Sequence, residues 1–485
     1  MNVLLVNPPD DLESLLGAGA NLITPFEPLG LLYLAAVARD AGYNISVIDA
    51  YIEKLPIEKL KRKITESKAD IIGFTSFTSN GAILYELGKW IKVNLPETIV
   101  VFGNVHAEVY AEAYLRNKCC DVVVRGEGEY TFLKILRTLE NKSKDFSDVP
   151  AVSFLKDREF ITTPGIKVIE NLSDLPFPAR DLVNQKFYNI PSISNLPYSG
   201  KKNTIGKHMF TSRGCPHRCT FCVVHNSNRQ RQNDVIKVVD EMELLVKQYK
   251  ADYIFIMDSL FISNKKRVVD ICSEIKRRNL DFKWGCEAHV RFVDAELVKI
   301  MESAGCYDMA FGIESGVQRL LDNVRKGTQL EKIEEAIKTV KRDSKIKVSG
   351  LFILGLPGET YNDSLQTIDF ARKLPLDMAQ FSILVPYPGS PLFNELAAKG
   401  EIDTGIREDG TIDTSVWLRY SAYISYTKNN PIWVTKDLTG EMLKKLQKKA
   451  LRNFYLRPRQ FWNQLKRIRV CQLWSVTKTF FETFY

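Results

Sequence analysis

Ser212-Arg213-Gly214-Cys215-Pro216-His217-Arg218-Cys219-Thr220-Phe221-Cys222 carries three cysteines in the spacing C-x3-C-x2-C. The string follows His208–Thr211, a short stretch that reads as a strand. Three soft thiolates this close together can hold a soft metal centre. A structural zinc site takes four ligands, commonly in separated pairs, so zinc here would have to recruit His217 or His225. An iron–sulfur cubane ordinarily takes four cysteines. With three, one iron keeps an open position for a substrate or cofactor.

Outward from the string, residues 206–395 alternate strands with helices. The candidate strands are His208–Thr211, Tyr253–Asp258, Lys283–Cys286, Met309–Ile313, Val348–Leu354 and Gln380–Val385, and helical stretches lie at 234–249, 264–278, 294–304, 329–342 and 361–373. Six β-α repeats predict a partial, TIM-like (β/α)6 barrel, whose chemistry belongs at the C-terminal ends of the strands. Residues 1–145 show a second series: strands Val3–Asn7, Ile45–Asp49, Asp70–Thr75, Thr98–Gly103 and Asp121–Arg125, with helices at 29–40, 81–93 and 107–116. Continuous apolar strands of this kind form a parallel sheet covered on both faces. The prediction is a doubly wound, Rossmann-like α/β domain whose ligand sits at the loops Asn7-Pro8-Pro9, Ser76–Asn80, Gly103–His106 and Gly126–Glu129. Residues 146–205, with six prolines, read as a connector carrying a short strand at Ala151–Leu155. Residues 396–485 read as an aromatic, basic and mostly helical C-terminal extension.

Composition narrows the classes. The chain has 485 residues, 45% hydrophobic and 26% charged, which excludes disordered and collagen-like chains. No apolar run approaches the ~18 residues of a membrane span. The start, MNVLLVNPPD, lacks the basic flank of a signal peptide, so a cytoplasmic protein is expected. Nine cysteines, an odd number, argue against a disulfide framework. The net charge of +9 favours anionic partners. From 451 to 485, seven Lys/Arg stand against Glu482 alone, interleaved with aromatics such as Phe461, Trp462 and Trp474. That pattern fits either an amphipathic helix lying peripherally on the inner face of the membrane or a helix packed on the barrel. No phosphate loop and no nucleic-acid-binding module is present, so no nucleic-acid partner is expected.

C-x3-C-x-aromatic-C after the first strand of a six-unit barrel resembles the radical S-adenosylmethionine superfamily. The resemblance implies that Cys215, Cys219 and Cys222 hold a [4Fe–4S] cluster whose open iron binds the amino and carboxylate groups of S-adenosylmethionine. An electron from the cluster then releases a 5′-deoxyadenosyl radical. It also implies that Phe221 lies near the adenine, and that Gly312, Glu314 and Ser315, in the fourth-strand segment Phe311–Gly316, meet the amino acid or ribose. Gly355 would form the fifth-strand glycine turn, Asp258 would stand where relatives often carry two acids, and Arg291 would pair with the cofactor carboxylate.

The N-terminal strings Asn7-Pro8-Pro9, Pro28-Leu29-Gly30-Leu31, Gly103-Asn104-Val105-His106-Ala107 and Arg125-Gly126-Glu127-Gly128-Glu129 are similar to the cobalamin-binding domain that precedes many such barrels. Pro8, Ser76, Gly103, His106, Gly126, Glu127 and Gly128 are then the candidate cobalamin residues. No D-x-H-x-x-G string occurs, which implies base-off cobalamin without a histidine on cobalt; His106 would hydrogen-bond the corrin edge or touch the metal. The implied activity is methylation of an unactivated carbon in a small-molecule or lipid substrate, fed by an electron donor such as flavodoxin or ferredoxin. Related anaerobic Mg-protoporphyrin ester cyclases use the same cofactors to oxidise or cyclise. A non-catalytic cobalamin or redox sensor is the alternative from another class. No side chain is singled out as the proton or hydrogen donor.

Overall fold

Both predicted strand–helix series form parallel sheets, and each sheet anchors one of two compact units. The computed structural model describes residues 1–10, 26–165, 168–188, 205–224, 229–427, 429–458 and 460.

The first unit contains the first ten residues, Glu27–Phe187 and Tyr387–Tyr420. Its strands are β1 (Asn2–Asn7), β2 (Asn44–Asp49), β3 (Ile71–Thr75), β4 (Ile99–Gly103), β5 (Val122–Val124), β6 (Val152–Lys156) and β7 (Glu159–Thr162). They lie in the order β2-β1-β3-β4-β5-β6-β7, with β1 to β5 parallel. The order 2-1-3-4-5 reverses direction between β1 and β3, the switch point where ligands of open α/β sheets bind. Val3–Val6 of β1 are wholly buried, and the helix Leu29–Asp40 covers that core with Leu31, Ala35 and Ala36.

Three expectations are corrected here. The connector does not start at 146: β6 pairs antiparallel with β5 and β7 pairs with β6, because the three-residue strand β5 otherwise leaves an open edge. The predicted helix at 107–116 is two helices, Val105–Val109 and Ala111–Arg116, divided at Tyr110. Residues from Tyr387 to Tyr420 belong with the first unit, across the expected boundary at 395, because Trp417 buries its indole against His106 and Tyr110. Helices Ile57–Ser67 and Glu129–Glu140 complete the alternation; the former buries only Leu60 and Ile64.

The second unit contains Tyr188–Pro386 and the described residues from Ser421 onward. Its strands β8 (Gly206–Met209), β11 (Tyr253–Ile256), β12 (Lys283–Ala288), β13 (Cys306–Glu314), β14 (Lys347–Leu354) and β15 (Met378–Ile383) form one parallel sheet in chain order. β8 and β15 each pair with a single neighbour in it, so this is the predicted partial barrel of six units. Residues alternate along β14: Val348, Gly350, Phe352 and Leu354 are buried, and the residues between them are not. Connecting helices match the expectation, and Tyr361–Lys373 starts at a capping box of Thr360 and Asp363. The helix Gly440–Tyr455 packs on β15, where Gln447 donates to the Phe381 carbonyl at 2.7 Å. The basic tail at 461–485 lies outside the described residues. No helix among the described residues is long and apolar enough to cross a membrane.

Candidate functional site

The cysteine string leaves β8 through a clamp. Asp258, fully buried just past β11, accepts from Thr211 N (2.6 Å) and Oγ1 (2.5 Å) and from Ser212 N (3.0 Å) and Oγ (2.6 Å). Burial raises its pKa, and these donors oppose that rise. Ser212–Arg213 (β9) then pairs with Arg231–Gln232 (β10), so both ends of the string are fixed. Gly214 turns the chain with φ of +85°, a backbone that side chains rarely adopt. Asp258 therefore holds the loop, both its carboxylate oxygens accepting from Thr211 and Ser212.

Cys215, Cys219 and Cys222 carry no disulfide. Burial lifts the Cys219 thiol to about 11 and also raises Cys222; Cys222 and Cys215 push Cys219 further, and Cys215 pushes Cys222. Metal binding must displace those protons. Among the described residues no three Cys, His, Asp or Glu side chains converge tightly enough to cage a single ion. A cubane, with irons at separate corners, spreads its thiolates wider than ~2.3 Å Zn–S bonds to one zinc would. A donor set of three soft thiols suits a cubane with one open iron, whereas a structural zinc site takes four ligands. His225 lies outside the described residues. His217 stacks on His289 with centroids 4.5 Å apart and planes 13° off parallel, its Nε2 buried without a hydrogen-bond partner. Phe221 is half-buried on the same loop.

Opposite the loop stands an ion pair. Lys326 Nζ donates to Glu314 Oε1 at 2.7 Å, with side chains 11% and 9% exposed. Glu314 has φ of +67° at a register shift in β13, the kind of backbone strain that gathers at functional sites. A side chain at Gly312 would meet Glu314 Oε1 at 2.5 Å and Lys326 Nζ at 2.8 Å, so glycine there makes room for the pair. Burial works against the Lys326 charge, but Glu314 and the cysteines outweigh it and hold its pKa above the ordinary value. Glu287, at the end of β12, has a carboxyl raised by burial and by Glu314.

The other expected cofactor residues divide. Ser315 is fully buried, its hydroxyl 3.1 Å from Thr367 Oγ1 and accepting from Val317 N, so it fastens a helix. Gly355, with φ of +87°, lies against Leu443 in a turn whose amides at Gly355 and Leu356 donate to Glu359 (2.9 and 2.8 Å). Arg291 is exposed in a short turn beside His217 and His289. Lys326, Glu287 and His289 escaped the sequence reading. Glu287 was findable from the period of two along β12, which puts it on the face of Gly285.

In the first unit the strand-end loops behave differently. His106 is 2% exposed. Tyr114 donates to the Gly81 carbonyl (3.2 Å), so it accepts from His106 Nε2 (3.0 Å), which leaves His106 Nδ1 to accept from Thr78 Oγ1 (3.2 Å). Burial drives its pKa down to about 3. In this structure both ring nitrogens of His106 are within hydrogen-bond distance of Thr78 and Tyr114. Glu127 accepts from Ile169 N at 2.8 Å and is likewise a tether. What the ledge at β1, β3 and β4 offers is main chain and small groups. Pro8 ends β1; Ser76 Oγ is buried without a hydrogen-bond partner; Gly103 has no atom nearer than 4.0 Å to a would-be side chain. Gly126 has φ of +69°, and Gly128 caps the helix Glu129–Glu140. Half-exposed Phe77 sits on the same loop as Ser76. An open backbone ledge at a switch point fits a large, mostly uncharged planar group.

Comparison with known proteins finds a family match for each of the two strand–helix series. Residues 16–136 match the B12 binding domain, and residues 209–371 match the Radical SAM superfamily. An uncharacterized methyltransferase of Pyrococcus horikoshii is 33% identical over 95% of this chain and 93% of its own length. The anaerobic magnesium-protoporphyrin IX monomethyl ester cyclase of Rubrivivax gelatinosus is 29% identical over 83% of this chain and 71% of its own. The radical S-adenosylmethionine methyltransferase TsrM from Kitasatospora setae, solved with cobalamin and a [4Fe–4S] cluster, superposes with a TM-score of 0.67 at 18% identity, covering 97% of this chain and 89% of that one. The cobalamin-dependent radical enzyme OxsB, solved with aqua-cobalamin and S-adenosylmethionine, gives 0.72 at 18% identity over 96% and 70%. At such identities the two structures speak for the fold.

Proposed function

The chain belongs to the cobalamin-binding radical S-adenosylmethionine methyltransferase family, and from that premise we propose that it methylates an unactivated carbon of a small-molecule or lipid substrate. The observation that carries the reading is the joining, in one chain, of a three-thiol loop at the strand ends of a partial barrel with an open backbone ledge at a switch point. When bound, the cluster with S-adenosylmethionine supplies one-electron chemistry and cobalamin supplies the methyl group. The chain's own residues position and shield. Cys215, Cys219 and Cys222 are the cluster ligands. Asp258 keeps their loop at the mouth of the barrel through four hydrogen bonds. Glu287, its carboxyl raised first by burial and then by Glu314, stands near the end of β12. Pro8, Ser76, Gly103, Gly126 and Gly128 form the cobalamin ledge, and Phe221 and Arg291 contact S-adenosylmethionine. Electrons come from a flavodoxin- or ferredoxin-like donor.

A second reading has its own support. The cyclase of Rubrivivax gelatinosus matches 83% of the chain, and an oxidative or cyclising outcome would use the same residues. The test is anaerobic reconstitution of the full chain with both cofactors, followed by mass comparison of metabolites and lipids. A product heavier by one methylene supports methylation. A product that has lost hydrogen or gained oxygen supports the second reading. Absence of 5′-deoxyadenosine release with the cluster in place contradicts both and favours a sensor.

A further inference from the structure

Arginines on the helices of the second unit are matched with carboxylates: Arg277 with Glu274, Arg319 with Asp363, Arg342 with Asp343 and Arg372 with Asp369. Arg218, Arg291 and Arg325 differ. All three are exposed, and among the described residues none of their guanidinium groups has an ion pair or a hydrogen-bond partner. All three also flank the cysteine loop. Arg218 lies within it, beside Cys219. Arg325 follows Val324, whose carbonyl accepts from Thr220 N at 3.1 Å, and its φ of +54° turns the chain there. Arg291 N donates to His289 Nδ1 at 3.2 Å, and the His289 ring stacks on His217 with centroids 4.5 Å apart. Asp322, the acid nearest Arg325 in sequence, accepts from Gln318 at 2.8 Å. Folding gains nothing from this arrangement, because unpaired like charges gathered round one loop repel each other. What they create is a positive field over the loop, which draws in a negative surface.

We infer that Arg218 and Arg325 form the docking face for an acidic electron-transfer protein, which delivers its electron across the exposed side of the cysteine loop. Arg291, the S-adenosylmethionine residue, adds its charge to the same field. Cys215 and Cys222 are only half-buried, so a partner seated on Arg218 touches the loop that carries the sulfur ligands. With a flavodoxin as partner, the anionic flavin hydroquinone gives up one electron and becomes the neutral semiquinone. The cluster gains that electron, and no bond forms or breaks between the two proteins. Attraction between opposite surfaces raises such encounter rates by about 10–10³ and weakens as salt screens it.

The inference rests on the cluster and donor readings, and its test separates it from the first. The full chain is reconstituted anaerobically with iron and sulfide. Cluster reduction is followed by freeze-quench electron paramagnetic resonance with two reductants: flavodoxin hydroquinone, an acidic protein, and reduced methyl viologen, a small cation. Charge reversal in the double variant Arg218→Glu, Arg325→Glu is expected to slow reduction by flavodoxin about tenfold or more at low salt, and not to slow reduction by viologen. The double variant Arg218→Lys, Arg325→Lys keeps the charge and is expected to stay within about twofold of wild type with both. The wild-type rate with flavodoxin is expected to fall as salt rises. Equal flavodoxin rates for wild type and the reversed variant, at equal iron content, overturn the inference, as does equal slowing with viologen. So does a wild-type cluster that viologen reduces and neither flavodoxin nor ferredoxin does. Should the reversed variant lose its iron, Arg325→Gln decides alone: an unchanged flavodoxin rate at low salt overturns the inference, and a slower one with viologen unaffected supports it. A wild-type chain without a cubane signal under viologen fails the cluster reading; a normal cubane with unmoved flavodoxin rates fails only this one.

Discussion

The two units place their loops at the same architectural position, the carboxyl ends of parallel strands, and fill it with opposite chemistry. In the second unit those loops gather three thiols, the Lys326–Glu314 pair, Glu287 and two stacked histidines. In the first unit the one histidine of these loops is buried with both ring nitrogens near hydroxyl partners, and the neighbouring strand ends carry the glycines Gly103, Gly126 and Gly128 with buried Pro8 and Ser76. The comparison teaches that a thiolate-bound cluster demands particular side chains, whereas a large neutral cofactor can be met by backbone and shape. The first leaves a loud motif in the sequence, the second a faint one.

Four changes break or sharpen this contrast. The largest effect is expected at the thiols: Cys219→Ser should lower 5′-deoxyadenosine release by more than about 100-fold, beyond the ~10–100-fold that loss of an outer partner costs, while cobalamin uptake by the first unit is unchanged. Asp258→Asn gives up charge-assisted bonds to Thr211 and Ser212 and should weaken iron retention by about 10–100-fold, measured as iron per chain after gel filtration; unaltered retention would make the clamp dispensable.

The other two are pH effects of opposite sign. The folded pKa of His106 is depressed to about 3, so its stability contribution is present above the unfolded value of about 6.5 and is lost as pH falls. By pH 4 the first unit should lose about 3 kcal/mol, read as faster hydrogen exchange in Ile99–Arg116 after correction for intrinsic rates. His106→Gln should flatten that slope. Glu359, fully buried in the second unit, is raised to about 7, by burial first, against the donors Ser364, Leu356 and Gly355. Its contribution is present below the unfolded value of about 4.3 and is lost as pH rises through about 7. Glu359→Gln should remove about 1–3 kcal/mol of that dependence in urea titrations at pH 5 and pH 8; parallel curves for mutant and wild type would refute the assignment.

Much of the fold was legible because its period is strong. The helix Leu29–Asp40 is legible to the residue as a near-continuous apolar run after Pro28, and the helix Tyr361–Lys373 is legible to its approximate bounds. The β6–β7 hairpin was half seen, because prolines around it look like a connector while the open edge of β5 is invisible in one dimension. Trp417 on His106 was hidden for the same reason: the two are far apart in sequence. At the site, the cysteines were legible from spacing alone. Asp258, Ser315 and Gly355 stand at the expected strand ends, but a motif fixes position and not the direction in which a side chain spends its hydrogen bonds. His106 shows this most plainly, with Tyr114 and Thr78 using both nitrogens. Lys326 was missed because a helix separates it from Glu314 and no local pattern marks a lysine that turns inward.

The central claim is that three cysteines hold a cubane with one iron open to S-adenosylmethionine. The most direct measurement is electron paramagnetic resonance of the reduced, anaerobically reconstituted full chain before and after S-adenosylmethionine is added. A four-iron cubane signal whose line shape changes on addition is the predicted result. Zinc in place of iron, or a cubane signal indifferent to S-adenosylmethionine, would contradict it.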